Sequence, residues 1–221
     1  VRRVQVRTYK IAAIPGDGIG EEVIAASVEV LSACAERDGG FALDITHFDW
    51  GTERYKKRGA LMPEDGVETL KKFDAILFGA VGTPDVPDHV TLWGLRLAIC
   101  QSLDQYANVR PARVLSGIQS PLRTAHPNDI DWIIIRENTE GEYSGHGGRS
   151  HRGFTQEVAT EVAVFTRAGI LRIMHFAFRV AQSRPRKLLT IVTKSNAQRY
   201  GLVPWDEVAR EVGLEYPDVH L

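Results

Sequence analysis

The chain has 221 residues, 43% hydrophobic and 25% charged, with a formal net charge of −1. This is the composition of an ordinary globular protein with enough chain to bury a core. The balanced charge argues against a nucleic-acid or membrane-surface partner, and no apolar run reaches the ~18 residues that would cross a bilayer.

Val1-Arg2-Arg3-Val4-Gln5-Val6-Arg7 is basic and lacks the apolar centre of a secretory signal. Residues 9–14 read as a short apolar strand. Pro15-Gly16-Asp17-Gly18-Ile19-Gly20 then turns the chain into a helix over 21–37. That helix is expected to bury a stripe of Val23, Ile24, Val30, Leu31 and Cys34, and to stop at Gly39-Gly40. The glycine loop invites comparison with a dinucleotide-phosphate site. Its spacing is G-x-G-x-G, however, and Glu21 stands where G-x-G-x-x-G needs its third glycine. A tight turn beside a ligand is the better reading. Phe41, Leu43 and Ile45 alternate with polar and small residues as a strand does, and Pro63-Glu64-Asp65 opens a helix holding Val67 and Leu70. Ala75-Ile76-Leu77-Phe78-Gly79-Ala80 is a buried strand, and the loop over 81–89 lies at its end, where open α/β sheets bind ligands.

Residues 91–106 are predicted helical, with Leu92, Leu95, Ile99 and Leu103 inward. Asn108-Val109-Arg110-Pro111-Ala112-Arg113-Val114 is extended, because the residue before proline avoids the helical region. A loop covers 119–131. A domain change falls here, giving residues 1–105 and 106–221. The apolar run Ile133-Ile134-Ile135 ends in Arg136-Glu137-Asn138-Thr139-Glu140-Gly141-Glu142-Tyr143, and so delivers polar groups at the end of a buried strand. Residues 144–154 hold four glycines with His146, Arg149, His151 and Arg152, and read as a partner-contacting arm rather than a metal site. An amphipathic helix is expected over 160–182, with His175 packed within it. A buried strand over 188–192 ends in Thr193-Lys194-Ser195-Asn196. The alternation of strands and helices indicates an α/β fold with a largely parallel core. Arg96, Arg110, Arg113 and Arg136 at strand ends and adjoining helices suit a di- or tricarboxylate. Cys34 and Cys100, far apart in helical segments, suit reduced thiols and a cytoplasmic setting.

On four pieces in family order the chain resembles the β-decarboxylating dehydrogenases, which act on isocitrate, 3-isopropylmalate, tartrate or D-malate. The pieces are Ile14-Pro15-Gly16-Asp17-Gly18-Ile19-Gly20, Asn108-Val109-Arg110-Pro111, Arg136 to Tyr143, and Thr193-Lys194-Ser195-Asn196. Val86-Pro87-Asp88-His89, Leu92-Trp93-Gly94, Asp104-Gln105-Tyr106 and Ala181-Gln182-Ser183-Arg184-Pro185-Arg186-Lys187 look most like the tartrate/D-malate branch. The resemblance implies an isopropylmalate dehydrogenase-like two-domain fold and a homodimer. It also implies NAD-linked oxidation of a 2-hydroxy dicarboxylate, followed by decarboxylation assisted by Mn2+ or Mg2+. By the same resemblance Arg110 and Arg136 grip substrate carboxylates. Tyr143 protonates the enol product, and Lys194 acts with it from the neighbouring subunit. Asn196, Ile14 and Gly79 lie on the cofactor side.

Two departures temper the expectation. The family's arginine ten positions before Arg110 is here Cys100, with Arg96 one helical turn earlier as its candidate substitute. The chain also stops at Leu221, so the fold is expected to be C-terminally incomplete, with the metal-binding aspartates and most of the adenine pocket beyond that point. A 3-isopropylmalate dehydrogenase is the alternative enzyme, disfavoured by Trp93 where that branch commonly has an acid. A non-catalytic carboxylate-binding or assembly module is the alternative of another class.

Overall fold

A computed structural model describes residues 6–122, 124–127 and 129–221. Most of the basic start, and Arg123 and Asn128 of the expected 119–131 loop, lie outside the described residues. The chain divides into two compact units, one ending at Leu103 and the other beginning at Asp104.

The first unit is built on a parallel sheet of order β2-β1-β3, from β1 (Arg7–Gly16), β2 (Phe41–His47) and β3 (Ala75–Ala80). Strand β1 is central, and its consecutive Ala12, Ala13 and Ile14 are all fully buried. Burial on both faces is why this strand reads as an unbroken apolar run rather than an alternating one. Helix α1 (Ile19–Asp38) follows the glycine turn and ends on Gly39, whose left-handed backbone lets its N–H bond Ala35 O at 2.9 Å. The expected stripe needs correction. Ile24 is buried with Gly20 and Ala35, whereas Val23 and Val30 are exposed. Small residues set the contact line: a Cβ on Gly20 would lie 2.1 Å from Pro15 O.

Two helices escaped the sequence reading. Helix α2 (Thr52–Arg58) lies between Gly51 and Gly59, with Glu53 in its first turn and Lys56, Lys57 and Arg58 in its last. These are favourable charges for the helix dipole. Helix α3 (Gly66–Leu70) follows as expected. The single helix predicted over 91–106 is instead α4 (Asp88–Thr91), a π-helical turn (Leu92–Leu97) and α5 (Ala98–Ser102). Inside that turn Gly94 lies against Leu61, whose Cδ1 a Cβ would approach to 2.5 Å. The helix also stops early, since Asp104 adopts φ +47°.

In the second unit β4 (Ala107–Arg113) and β5 (Asp131–Glu137) pair antiparallel, so the parallel core holds for the first unit only. The expected arm is not a loop. It is strand β6 (Gly141–Ser150), paired antiparallel with β7 (Val158–Val164). Tyr143 therefore sits in a strand. Helix α6 (Arg167–Ser183) starts seven residues later than the predicted 160 because the β-branched run of β7 finds a partner in β6. Thr166 caps α6 by accepting the Gly169 N–H at 3.0 Å.

Helix α7 (Val203–Gly213), the second one missed, packs on α6. Ile170, Met174, Phe178 and Ala181 meet Val208, Ala209, Val212 and Val219 in one core, and Phe178 stacks on Tyr216 at 5.2 Å. The buried strand expected over 188–192 is also corrected. Leu188 makes an isolated bridge to His220, no further ladder forms among the described residues, and Val192 is 94% exposed.

These differences in burial have measurable consequences. Phe178→Ala, at a fully buried position, is expected to cost about 3–5 kcal/mol of stability in urea denaturation. Val192→Thr, at an exposed one, is expected to stay within about 0.5 kcal/mol.

Candidate functional site

The central constellation is set by register. In the β4–β5 ladder Asn108 stands opposite Arg136, and Arg110 opposite Ile134. Opposed residues share a face, as do residues two apart, so Asn108, Arg110 and Arg136 point the same way. Asn138 continues the series just past β5, where its N–H donates to Tyr106 O at 2.9 Å. Arg110 Nε donates to Asn108 Oδ1 at 2.9 Å, and Asn108 Nδ2 reaches Asn138 Oδ1 at 3.4 Å. Arg136 Nη2 donates to the same Asn138 oxygen at 3.0 Å. The Arg136 guanidinium also lies over the Tyr143 ring, 5.0 Å from its centroid, in cation–π range. Arg110, Arg136 and Tyr143 are thus brought together. Arg113, three residues from Arg110, lies on the other face of β4, which corrects its place in the arginine cluster.

Asn108 and Asn138 had no role in the sequence reading, although a signal was present. Asn-x-Arg on one strand and Arg-x-Asn on the next are complementary when the strands run antiparallel. The pattern becomes meaningful only once the pairing is known.

The alternate residues of the same motif do structural work. Glu137, its side chain 6% exposed, accepts from Thr139 N at 2.9 Å, Thr139 Oγ1 at 2.8 Å and Glu140 N at 2.6 Å. Glu140 accepts from Thr166 N at 2.9 Å and Thr166 Oγ1 at 2.5 Å, and so places its charge at the start of α6. A Cβ on Gly169 would lie 2.3 Å from Glu140 Oε2, so a larger residue there would displace the Glu140 carboxylate from Thr166. From α6, Arg172 donates to both Asp104 oxygens at 2.9 Å and to Thr139 Oγ1 at 2.8 Å, and covers the Tyr106 ring at 4.6 Å. The segment that presents Arg136 and Tyr143 is therefore clamped from behind. Buried polar groups held this way position a site more tightly than a solvated loop does.

The remaining expected residues lie elsewhere. Arg96 belongs to the first unit, half-buried in the π-helical turn. The π-helical turn ends at Leu97, so Cys100 follows in α5. The Ile14 side chain is fully buried, and the space of a Cβ on Gly79 is taken by Pro15 O, 2.2 Å away. Lys194 and Asn196 are exposed on a turn in which Lys194 O accepts from Ala197 N at 3.0 Å and Gln198 N at 2.9 Å. Among the described residues no three His, Cys, Asp or Glu side chains gather as a metal site would require.

The glycine turn has a further occupant. Asp17, 5% exposed, accepts from Thr52 N and Thr52 Oγ1, both at 2.6 Å, and from Gly82 N at 2.8 Å. Its own N–H bonds Ala80 O at 2.7 Å. The turn thereby ties β1, α2 and the loop after β3 together. That loop is pinned again by Lys56, whose ammonium lies 2.6 Å from Asp85 and also bonds Glu53. The hydrogen bond from Lys56 holds the Asp85 carboxyl down from 3.8 to about 2. Both carboxylates in turn raise Lys56 above its ordinary value, Asp85 the more.

Comparison with known proteins places this geometry in a class. The profile of the isocitrate/isopropylmalate dehydrogenase family matches residues 10–221, and the chain belongs to that family. Over 214 residues it is 67% identical to a probable tartrate dehydrogenase/decarboxylase of Agrobacterium vitis, covering 97% of this chain and 60% of that protein. It is 50% identical to the decarboxylating D-malate dehydrogenase of Escherichia coli over 216 residues, with 97% and 60% covered. The crystal structure of isocitrate dehydrogenase from Methylococcus capsulatus superimposes with a TM-score of 0.79 at 30% identity, covering 96% of this chain and 59% of that one. The chain spans about 60% of the length of the curated relatives it matches. Among the described residues no helix is long and apolar enough to cross a membrane.

The Lys56–Asp85 pair can be read directly by NMR. With its folded pKa depressed, Asp85 contributes stability that is present above 3.8 and lost as pH falls towards about 2. The Asp85 carboxyl carbon is expected to titrate near pH 2, and Lys56→Met to move that midpoint back towards 3.8.

Proposed function

We propose that this protein catalyses NAD-dependent oxidative decarboxylation of a small 2-hydroxy dicarboxylic acid, D-malate or tartrate, as a homodimer in the cytoplasm. The observation that carries the reading is the shared face of Arg110 and Arg136 beside Tyr143. Two guanidiniums presented from one sheet face suit the two carboxylates of such an acid, since each fork can bind one of them bidentately. The relatives named for tartrate and D-malate, 67% and 50% identical, support that substrate class. The free thiols of Cys34 and Cys100 are in keeping with a reducing compartment.

In this reading Arg110 and Arg136 hold the acid and stabilise the negative charge that grows on it as the carboxylate leaves. The Tyr143 hydroxyl, next to Arg136, then delivers a proton to the carbon left behind. Lys194, exposed on its turn, serves the site of the neighbouring copy. A bound NAD would supply the hydride acceptor for the hydroxyl-bearing carbon, while the Lys194 amine receives the hydroxyl proton that leaves with that hydride. In the same reading the exposed Asn196 contacts NAD through its side chain, and Ile14 and Gly79, whose side-chain space is taken by packing, through their backbone. Mn2+ or Mg2+ belongs to this reading through the family alone, since among the described residues no three His, Cys, Asp or Glu side chains gather to hold it.

Calorimetric titration of the 221-residue chain with D-malate, tartrate and 3-isopropylmalate tests the binding half. Arg136→Lys and Arg110→Lys are each expected to weaken D-malate by roughly tenfold or more, the loss of one charge-assisted contact. Absence of binding to any of the three acids, or unchanged binding in both variants, removes the substrate assignment. Tyr143→Phe separates binding from chemistry. It is expected to leave affinity within about threefold while lowering turnover by the 10²–10⁴ typical of a lost acid. Turnover unchanged by Tyr143→Phe takes Tyr143 out of the mechanism.

A further inference from the structure

We infer that Asn138 is a positioning residue whose buried amide sets the orientation of both substrate-facing guanidiniums, Arg136 directly and Arg110 through Asn108. The inference rests on the reading of Arg110 and Arg136 as carboxylate ligands, and adds a residue that touches no substrate itself.

Three groups in the series have roles beyond choice: the Gln105 carbonyl only accepts, and the Arg136 and Arg110 guanidiniums only donate. Gln105 O is a backbone carbonyl and can only accept, so the side-chain atom of Asn138 that meets it at 3.2 Å is the donor Nδ2. The amide is planar, so its Oδ1 then faces the opposite way, towards Arg136 Nη2 at 3.0 Å and Asn108 Nδ2 at 3.4 Å. With its nitrogen committed there, Asn108 presents Oδ1 to Arg110 Nε at 2.9 Å. Every link has one donor and one acceptor, and reversing any amide sets oxygen against oxygen or nitrogen against nitrogen.

The polarity of the whole series is thus fixed at its ends, by the Gln105 carbonyl and by the two guanidiniums. Asn138 is held in place independently, since it is 3% exposed and its N–H bonds Tyr106 O at 2.9 Å. Arg136 is correspondingly restrained. Its Nε is buried and meets no hydrogen-bond partner among the described residues, and the fork is oriented by the bond from Nη2 to Asn138 and the stacking on Tyr143. Asn138 is therefore positioned to hold two side chains from two strands at one spacing, as recognition of a dicarboxylate requires.

The series has a direction, and this makes the test specific. Nitrogen-15 spectra of the arginine side chains in the 221-residue chain report whether each guanidinium is held. Asn138→Ala is expected to release both, seen as averaging of the Arg136 Nη signals and a shift of Arg110 Nε. Asn108→Ala is expected to shift Arg110 Nε and leave the Arg136 Nη pattern in place. Where Asn138→Ala fails to fold, Asn138→Asp keeps the volume, loses the donor to Gln105 O, and is expected to disturb both arginines. D-malate affinity is expected to fall tenfold or more in Asn138→Ala and about threefold in Asn108→Ala.

A purely structural role would lower the melting temperature and leave this order unexplained. Unchanged arginine signals in Asn138→Ala or Asn138→Asp overturn the inference, as does an Asn108→Ala effect on Arg136 equal to that on Arg110. If the unaltered chain binds no dicarboxylate while the spectra follow the expected order, the functional reading fails and the positioning role of Asn138 stands.

Discussion

Antiparallel pairing of β4 with β5 is the constraint on which the site depends. It places Asn108 opposite Arg136, and a slip of one residue would turn Arg136 to the other face. The pairing also divides the motif that follows β5. Arg136 and Asn138 join the arginine face, while Glu137 and Thr139 turn to Arg172 on α6. Acids and bases adjacent in sequence are thereby kept apart in space. On the proposed function, a guanidinium kept for an external carboxylate has to be denied internal ones, and Arg136 is given a neutral amide oxygen. Neutral acceptors orient it without cancelling its charge.

In the first unit the comparable constraint is Asp17. Its three accepted hydrogen bonds join strand, helix and loop at a turn whose glycines allow backbones to meet almost without side chains between them. A phosphate-binding glycine loop would leave such N–H groups pointing outward for an anion. Here the anion is part of the chain: a buried carboxylate fills that role for Thr52 and Gly82. The glycine-rich signature and the mismatch in its spacing have the same origin, since the loop serves close packing.

The sequence was legible where a single local rule decides the outcome. The central apolar run of β1, the stop at Gly39, β3 and the extended segment before Pro111 all follow from periodicity or backbone restriction. It was misleading where a partner decides. The Val158–Val164 segment has apolar residues enough for a helical start, and becomes strand because β6 lies beside it. The run over 188–192 looks like a buried strand, and has only the bridge at Leu188 among the described residues. Arg110, Arg136 and Tyr143 could be chosen by residue type, but Asn108 and Asn138 could not, because nothing local marks an asparagine as a connector. The π-helical turn left no signal in composition. Gly94 fits it only once Leu61 is seen against it.

The clamp behind the site explains why so much chemistry resides in so short a segment. A strand end holding free arginines would be mobile, and binding a small anion would have to order it, at a cost of about 0.5–1.5 kcal/mol for each immobilised side chain. Arg172, Glu137 and Glu140 fix that segment beforehand, using groups that never face a ligand. Arg172 does so while its own Nε, buried, meets no hydrogen-bond partner among the described residues. The unmet donor marks a compromise: the planar fork is aimed to satisfy Asp104 and Thr139 together, and its remaining nitrogen is left over. On the proposed function, rigidity of the arginine face takes precedence over completing every bond behind it, which is the ordering expected where preorganisation matters more than the last increment of stability.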